Sequence, residues 1–386
     1  MHTFASKLPQ TGVTIFSVMS QMAQTHQAIN LSQGFPNFNG DARLIRWVEE
    51  GMQKGFNQYA PMAGLPALRE QIARWAAHFY QVSLDPQAEI TVTAGATEAL
   101  MCSMLALIHP GDEVIVFEPA YDAYIPAIQL AGGTPVPIEM RPPTYALDWE
   151  AVRQKISPRT KAILVNSPHN PTGTIWQSHD LEQLKEIALT NDLVVISDEV
   201  YAHMVFDEQQ HLSLLSVPEL ADRRVVTYSF GKTLHHTGWK VGYALAPDWL
   251  TQEIQKVHQF VTFSVSTPFQ YGIAQFLQHC MEELEGLGDF FQRKRDLFLS
   301  LMEDTPFEAL PNQGTYFQTM RYDRISDESD YEFVKMLTQE AGVAAIPISA
   351  FYQDGTDHGV IRFCFAKDEE TLEKAAQRLI KWGKNR

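Results

Sequence analysis

Imine formation and proton transfer need an amine, a carboxylate and hydrogen-bonding side chains. The middle of the chain contains such residues: two lysines, an aspartate, a tyrosine and an asparagine. Lys232 lies in SFGKTLHHTGWKVGY (229–243), between a glycine and a threonine, and Lys240 follows beside a tryptophan. Asp198 ends the apolar run LVVISD, Tyr201 comes shortly after it, and Asn170 lies in HNPTG. A lysine amine can attack a carbonyl carbon, and a nearby carboxylate can stabilise the positive charge that results. These residues are therefore the first candidates for a catalytic centre.

The Gly-Lys-Thr triplet at 231–233 also matches the end of a nucleotide-binding phosphate loop. That loop has the pattern GxxxxGK[ST] between a strand and a helix, so its first glycine would stand at position 226. Position 226 is Val226, inside an apolar run, and no second glycine-rich turn compensates. The sequence therefore argues against ATP or GTP hydrolysis.

An aldehyde cofactor, pyridoxal 5'-phosphate (PLP), gives each of these residues a task. Burial lowers a lysine pKa and frees the neutral amine, so Lys232 suits a Schiff base with the aldehyde. Asp198 would keep the ring nitrogen protonated, which lets the ring accept electrons from a carbanion. A phosphate dianion favours a helix N-terminus and cations. The further contacts are then Asn170 and Tyr201 to the ring hydroxyl, Tyr121 stacked on the ring, and Gly95, Ala96, Thr97, Ser229 and Lys240 at the phosphate.

Short apolar runs alternate with helical patterns through the middle of the chain. The runs are EITVTA (89–94), EVIVFE (113–118), AILVNS (162–167), LVVISD (193–198), RVVTYS (224–229) and VGYALA (241–246). Several are nearly all apolar, which is typical of strands covered on both faces. Helical segments between them predict a mainly parallel sheet with right-handed crossovers. Ligands of such sheets bind beyond the carboxyl ends of the strands, which is where the candidate residues follow.

The pattern changes after about residue 285. EGLGDFFQRKRDLFLSLME and DEETLEKAAQRLIKWG have the periodicity of amphipathic helices, while FEALPNQGTYFQTM and GVIRFCFA between them indicate strands. TIFSVMSQMAQTHQ, near the start, indicates a helix. We predict an N-terminal arm over 1–40 that joins the small domain, a large cofactor-binding domain over 41–285, and a smaller α+β domain over 286–386.

The composition limits the partners and the compartment. The 386 residues carry a net charge of −16, which disfavours nucleic acid and acidic membrane surfaces as partners. The cysteines Cys102, Cys280 and Cys364 lie far apart without a CxxC pair, which is typical of a reducing compartment. No apolar stretch approaches the ~18 residues of a membrane span. We predict a cytoplasmic protein that binds small molecules and neither nucleic acid nor a membrane.

Three motifs in order carry a resemblance to a known family. SPHNPTG (167–173), SDEVY (197–201) and SFGK…GWKVG (229–242) resemble those of the fold-type I, class I/II aminotransferases. LSQGFPNF, NQYAPMAGLPALRE and IRFCFAKDE are similar to the kynurenine aminotransferase/glutamine transaminase K branch, whose bacterial members include methionine aminotransferases. The likeness covers almost the whole chain. It implies the α/β fold of type I PLP-dependent transferases, with a mainly parallel, seven-stranded sheet in the large domain and a smaller α+β domain.

The resemblance also implies roles for single residues, and Lys232 becomes the Schiff-base lysine that carries the proton. Arg362 corresponds to the arginine that binds the substrate α-carboxylate, a planar donor pair for a planar anion, and Gly34 adds a backbone N–H. Lys240 stands where most of the wider family has arginine, so a point charge replaces a bidentate fork at the phosphate. Tyr59 matches a tyrosine that reaches the phosphate of the neighbouring subunit, which implies a homodimer with shared active sites.

The resemblance implies an aminotransferase that moves the α-amino group of an L-amino acid to a 2-oxo acid. The residues expected to bind the substrate are Arg362, Gly34, Asn170 and Phe35, with Tyr59, Tyr121 and Tyr316 as further aromatic candidates for the side-chain pocket. No second arginine for a distal carboxylate is evident. We therefore expect methionine and aromatic amino acids to be preferred over aspartate, with histidine and glutamine as further candidates. Alternatives are a PLP-dependent C–S β-lyase and a non-enzymatic regulator built on the same fold.

Several of these residues also have simpler explanations. Asp198 could be only a helix N-cap, and Asn170 with its following proline only a turn. Arg362 could pair with a structural carboxylate. His235 and His236 suggest a metal site, but adjacent residues point apart and no spaced Cys, His or Glu completes a ligand set. We therefore predict no metal.

Overall fold

The computed structural model describes residues 5–9 and 11–384. The strands are β1 (Ile29–Asn30), β2 (Ile90–Thr93), β3 (Glu113–Glu118), β4 (Thr134–Glu139), β5 (Thr160–Asn166), β6 (Val194–Asp198), β7 (Arg224–Ser229), β8 (Gly242–Leu245), β9 (Glu308–Ala309), β10 (Phe317–Arg321), β11 (Val343–Ala344), β12 (Ile346–Pro347) and β13 (Val360–Cys364). The helices are α1 (Ile15–Thr25), α2 (Ala42–Gln53), α3 (Pro66–Tyr80), α4 (Gly95–Leu107), α5 (Tyr124–Leu130), α6 (Trp149–Lys155), α7 (Ser178–Thr190), α8 (Phe230–Thr233), α9 (Asp248–Val261), α10 (Thr267–Cys280), α11 (Leu287–Met302), α12 (Asp330–Met336) and α13 (Glu369–Gly383). In these ranges, no helix has both the length and the apolar character needed to cross a lipid bilayer.

In the described residues, the central sheet has seven strands in the order β2-β8-β7-β6-β5-β3-β4. Neighbours pair in parallel, except that β8 is antiparallel to both β2 and β7. The predicted, mainly parallel sheet is confirmed, and each of the predicted apolar runs is a strand in it. The edge strand β4 gives no strand signal in the sequence, because TPVPIE contains prolines and is only partly buried. Prolines are tolerated at a sheet edge, where one side of the ladder is unpaired.

The central strands are buried on both faces. Along β5, Ile163 and Val165 belong to one apolar core, and Ala162 and Leu164 belong to the other. This alternation follows from the two-residue period of a strand. Apolar residues of α4, α5 and α9 complete the second core. Packing on both faces holds the strands, and therefore the groups at their ends, in fixed positions.

The C-terminal part contains a further sheet, β12-β13-β10-β9, in which neighbouring strands are antiparallel. The N-terminal segment joins this part, because β1 pairs in parallel with β11. The Leu31 carbonyl also accepts a hydrogen bond from the Cys364 N–H at the end of β13 (2.8 Å). These contacts bring the loop after β1 next to β13. The domain boundaries at 40/41 and 285/286 stay a prediction.

Candidate active site

A cavity of about 320 Å³ lies where the parallel strands of the central sheet end. All but two of the predicted site residues line it. They are Gly34, Phe35, Gly95, Ala96, Thr97, Tyr121, Asn170, Asp198, Tyr201, Ser229, Lys232, Lys240 and Arg362. The exceptions are Tyr59 and the fully buried Tyr316. The fold therefore brings residues from the beginning, the middle and the end of the chain to one place.

The ends of the central strands position the reactive groups. Asp198 is the last residue of β6, and Lys232 lies in the short helix α8 that directly follows β7. Asn170 follows β5. Because β5, β6 and β7 are parallel neighbours, their carboxyl ends lie side by side. β8 runs in the opposite direction, so its first residues lie at the same edge and bring Lys240 into the cavity wall.

The Lys232 amine lies in the cavity against aromatic rings. Its Nζ donates hydrogen bonds to the Gly34 carbonyl (3.0 Å) and to the Tyr316 hydroxyl (2.9 Å). The same atom lies 5.7 Å from the centre of the Tyr201 ring. Burial lowers the pKa of Lys232 to about 8. A neutral amine, which is the form that attacks a carbonyl, is therefore accessible at mildly alkaline pH.

Asp198 is a buried carboxyl group held by two donors. Its Oδ2 accepts a hydrogen bond from the Tyr124 hydroxyl (2.8 Å), and its Oδ1 accepts one from the Val200 N–H (3.3 Å). Burial raises the pKa of Asp198 to about 6, and the hydrogen bond from Tyr124 opposes that shift. A cationic ligand beside this group would favour its ionised form. In the described chain no helix begins at Asp198, so the helix N-cap interpretation is wrong.

Arg362 is fully buried and retains a free donor. Its Nη1 donates to Asn170 Oδ1 (2.7 Å) and its Nη2 to the Ser32 carbonyl (3.2 Å). Its Nε has no hydrogen-bond partner among the described residues. Burial lowers the pKa of Arg362 to about 10, so the side chain remains a cation at neutral pH. Among the described residues its hydrogen-bond acceptors are an amide and a carbonyl and not a carboxylate, so the structural ion-pair interpretation is wrong.

The N-terminus of α4 forms another part of the cavity wall. In the described chain no side chain caps this helix start, so its first N–H groups, at 95–97, remain for an anion. Gly95 has a φ of +77°, a conformation that favours glycine. Lys240 Nζ lies 3.4 Å from Thr97 Oγ1. An open helix start beside an ammonium group suits a phosphate.

Two tyrosines have closer contacts with the reactive groups than the sequence indicated. Tyr124 donates to Asp198 and was not among the predicted residues. Tyr316, a candidate for the side-chain pocket, is fully buried, accepts from Lys232 and donates to the Gly34 carbonyl (2.6 Å). The sequence signal that could have indicated Tyr124 is the repeated tyrosine in YDAY, where Tyr124 follows the predicted Tyr121.

Lys367 was also not predicted, and it holds the loop that carries Gly34. Its Nζ donates to the Phe35 carbonyl (2.6 Å) and to the Gln33 carbonyl (3.3 Å). The residue is only 3% exposed although it is charged. A buried ammonium group on two carbonyls fixes the backbone between them, which includes Gly34.

Tyr59 does not line the cavity of its own chain. Its side chain is 82% exposed and packs edge-on against Phe263, with 5.4 Å between the ring centres. In its own chain Tyr59 therefore lies apart from the residues predicted to bind the phosphate.

Comparison with known proteins identifies the family. The family model "Aminotransferase class I and II" matches residues 26–379. The chain belongs to this family. A methionine aminotransferase from Escherichia coli (strain K12) is 49% identical over 374 residues, which are 97% of this chain and 97% of that protein. Human kynurenine–oxoglutarate transaminase 1 is 32% identical, over 94% of each chain.

Solved structures agree with this family. An Escherichia coli protein whose crystal structure and reactivity identified a methionine aminotransferase function is 48% identical, with a TM-score of 0.96. The similarity covers 99% of this chain and 100% of that chain. The aminotransferase therefore has the PLP-dependent fold of type I, as the resemblance predicted. The predicted likeness to methionine and kynurenine aminotransferases is confirmed as well.

The aminotransferase depends on PLP, as members of classes I and II do. The residues that line the cavity fit this cofactor, since they provide an amine, a carboxyl group and an open helix start beside an ammonium group. These relatives are transaminases, which supports amino-group transfer and not the C–S β-lyase alternative.

Proposed function

We propose that this aminotransferase moves the α-amino group of L-methionine and of aromatic L-amino acids to a 2-oxo acid, with histidine and glutamine as further donors. The observation that carries the proposal is the convergence of Lys232, Asp198 and Arg362 on one cavity with aromatic walls. An amine, a carboxylate and a guanidinium group are what amino transfer requires at one site. A relative that is 49% identical is a methionine aminotransferase, which supports the choice of donor.

In this proposal Arg362 binds the substrate α-carboxylate. Its Nε donor is free, and a planar guanidinium matches a planar anion. Asn170 Oδ1 accepts from Arg362, so the Nδ2 group of Asn170 is the part that can donate to a ligand oxygen. Gly34 supplies a backbone N–H from the facing loop. A Cβ at Gly34 would lie 2.7 Å from the Phe317 ring, so a larger residue would push this loop away.

The phosphate of PLP is assigned to the start of α4. The N–H groups of Ala96 and Thr97 belong to the first turn, and Ser229 and Lys240 line the cavity beside it. The helix dipole and the Lys240 ammonium both favour a dianion here. Tyr121, which also lines the cavity, is assigned to the face of the cofactor ring and Tyr201 to its hydroxyl.

Bound PLP supplies an electron sink for the electrons of the substrate Cα–H bond. Lys232 is assigned to take the Cα proton on Nζ and would give it up at the cofactor carbon that derives from the aldehyde. The Gly34 carbonyl and the Tyr316 hydroxyl accept hydrogen bonds from Nζ, so they can hold the ammonium group between the two transfers. Asp198 would face the ring nitrogen as a carboxylate, and the hydrogen bond from Tyr124 favours that ionised form.

The substrate side chain is expected to meet aromatic rings and no spare cation. Phe35 is 44% exposed and lines the cavity together with Tyr121. The cations that line it are Lys232, Lys240 and Arg362, and each has a task in this proposal. The distal carboxylate of aspartate would lose water without gaining a cation, whereas a thioether packs well against aromatic rings. Methionine is therefore expected to be the better donor.

The proposal includes a cytoplasmic homodimer with shared active sites. Tyr59 and Phe260 are 82% and 85% exposed, and exposed aromatic residues are typical of an interface. A second copy of the chain would cover them and present its own tyrosine to the phosphate. The cysteines of the described chain are free and buried, as in proteins of a reducing compartment. A monomer with full activity at low concentration would contradict the shared site.

A panel of amino donors, each assayed with several 2-oxo acids, tests the function. We expect kcat/KM for methionine well above that for aspartate, and no turnover of methionine when the oxo acid is omitted. A ranking with aspartate first would contradict the side-chain assignment. Release of pyruvate and ammonia from cystathionine without any oxo acid, as the main activity, would favour the C–S β-lyase instead.

A further inference from the structure

A buried pair of ionisable residues lies directly behind the start of α4. Glu98 Oε1 accepts hydrogen bonds from His258 Nδ1 (2.7 Å) and from the Cys102 thiol (3.0 Å). Glu98 Oε2 accepts from the Ala94 N–H (2.7 Å). The second ring nitrogen of His258, Nε2, lies 3.0 Å from the Met62 carbonyl. His258 is fully buried and Glu98 is 9% exposed, and neither lines the cavity.

The contacts of His258 determine the charge on its ring. A carboxylate oxygen and a backbone carbonyl can only accept, so both ring nitrogens must carry hydrogen and the ring is an imidazolium. Burial by itself would lower the pKa of His258, but the hydrogen bond and the charge of Glu98 more than offset this and raise it. Burial likewise opposes ionisation of Glu98, and His258 nevertheless keeps its pKa below the usual value. The two residues form a buried ion pair.

Glu98 and His258 lie next to the helix start that is assigned to the phosphate, although neither takes part in the proposed reaction. Glu98 lies in the first turn of α4, where a carboxylate stabilises the helix start. An uncompensated carboxylate there would repel a phosphate dianion at 95–97. We propose that His258 is a positioning residue for the PLP phosphate, because its imidazolium neutralises Glu98 and lets that carboxylate hold the helix start without opposing the phosphate. This inference rests on the phosphate assignment made under the proposed function.

The same imidazolium connects α4 to the segment that carries Tyr59. Met62, whose carbonyl accepts from His258, lies three positions beyond Tyr59 in NQYAPM. Two further side chains, Ser264 and Thr267, donate to carbonyls of the same segment (3.1 and 2.6 Å). His258 therefore holds the phosphate-binding helix of its own chain and the segment proposed to reach the phosphate of a partner copy.

The same cluster has the residue types of a metal site, since ligand atoms of Glu98, Cys102 and His258 lie within 4.8 Å of one another. The contacts favour the ion pair. His258 Nδ1 donates to Glu98 and so has no lone pair for a metal. Burial raises the pKa of the Cys102 thiol well above its usual value, so the thiol stays protonated and donates to Glu98.

If His258 compensates the charge of Glu98, variants of the two residues should differ in their effect on PLP binding. The full-length protein is freed of cofactor and titrated separately with PLP and with pyridoxal, which lacks the phosphate. We expect His258→Gln to weaken PLP binding by about tenfold or more, because it leaves a buried carboxylate unpaired, and to change pyridoxal binding by less than about twofold. Glu98→Gln and the double variant Glu98→Gln/His258→Gln remove that charge and should bind PLP within about threefold of the wild type. Equal losses of PLP and pyridoxal, or equal losses in both single variants, would mean a purely structural pair and overturn the proposal.

Two control variants separate this inference from the phosphate assignment. Cys102→Ala removes a donor from the same carboxylate oxygen without changing the charge, and should leave the ratio of PLP to pyridoxal affinity unchanged. Lys240→Gln should lower that ratio. If Lys240→Gln leaves the ratio of PLP to pyridoxal affinity unchanged, the phosphate assignment is wrong. If Lys240→Gln lowers this ratio and His258→Gln does not, only the proposed role of His258 is wrong. If His258→Gln does not fold, a folded double variant with near wild-type PLP affinity supports the proposal, and failure of both to fold overturns it.

Discussion

The two sides of the active-site cavity are built in different ways. On one side, Asp198 and Lys232 are held by the ends of parallel strands that are buried on both faces. On the other side, Gly34 comes from a loop and Arg362 from a different sheet. Contacts between chain segments far apart assemble this second side, such as the bond from Arg362 to the Ser32 carbonyl, 330 residues away in sequence.

In the proposed function, this difference separates the residues that carry out the reaction from those that select the substrate. The sheet side is held by many backbone hydrogen bonds and two apolar cores, so we expect its geometry to change little when ligands bind. The loop side depends on a few side-chain contacts, among them those of Lys367 to the loop and of Tyr316 to Gly34. Changes on the sheet side should therefore affect the reaction itself, whereas changes on the loop side should affect affinity and selectivity.

The largest effect is expected for Lys232→Ala on the sheet side. Lys232→Ala removes the amine that is assigned to take the Cα proton, and we expect transamination to fall by about a thousandfold or more. Covalent attachment of PLP after borohydride reduction should also be lost. Lys256→Ala, an exposed lysine of α9, is the matched control and should behave as the wild type. A Lys232→Ala protein that is still labelled by borohydride at the active site would refute the assignment.

Asp198→Asn tests the electrostatics of the sheet side in protein freed of cofactor. The folded-state pKa of Asp198 is raised from 3.8 to about 6, so the folded state binds this proton more tightly than the unfolded state does. The stability that this group contributes is thus complete below pH 3.8 and is lost as the pH rises through 6. The shift corresponds to about 3 kcal/mol.

Asparagine cannot ionise, so Asp198→Asn should gain stability relative to the wild type by about that amount between pH 4 and pH 7. Urea unfolding of both proteins across this range measures the difference. Asp192→Asn, at a position whose side chain is 92% exposed, is the control and should show a much smaller change. A difference between Asp198→Asn and the wild type that does not vary with pH would contradict the raised pKa.

Arg362→Lys tests the loop side. Lysine keeps the charge but loses the planar donor pair, so kcat/KM for methionine should fall by roughly thirtyfold, corresponding to about 2 kcal/mol. Most of the loss should appear in KM, while PLP affinity stays close to that of the wild type. Arg321→Lys, on the neighbouring strand β10 and ion-paired with Asp323, is the control. A large loss of PLP from Arg362→Lys would show that the two sides are not separate.

The sheet side could largely be predicted from the sequence, and the loop side could not. Asp198 and Ser229 end apolar runs, so a local pattern together with the rule for parallel sheets places them at one edge. Arg362 and Gly34 were identified only through resemblance to a family, because no local pattern brings residues so far apart together. The antiparallel direction of β8, which brings Lys240 to the cavity, also depends on pairing that no apolar run encodes.

The buried contacts that support the site were the least predictable. Lys367 reads as an ordinary charged residue in AKDE, and its burial follows only from the position of the loop that it holds. Glu98 and His258 are 160 residues apart, and neither lies in a motif. A side chain that acts on another side chain leaves no pattern in the sequence when the two belong to different elements.

The smallest effect is expected for Phe35→Ala, because Phe35 lies on the loop side and is assigned to the substrate side chain alone among the bound groups. Within the chain, the centre of its ring lies 5.0 Å from Lys367 Nζ. Loss of the ring should lower kcat/KM for methionine by about tenfold. The variant should convert the amino donor L-alanine, whose side chain is a single methyl group, almost as well as the wild type does. PLP affinity should not change, because the phosphate and the lysine lie on the other side. Equal losses for methionine and alanine would mean that Phe35 holds the loop rather than the donor side chain, and the loop side would then have no separate determinant of selectivity.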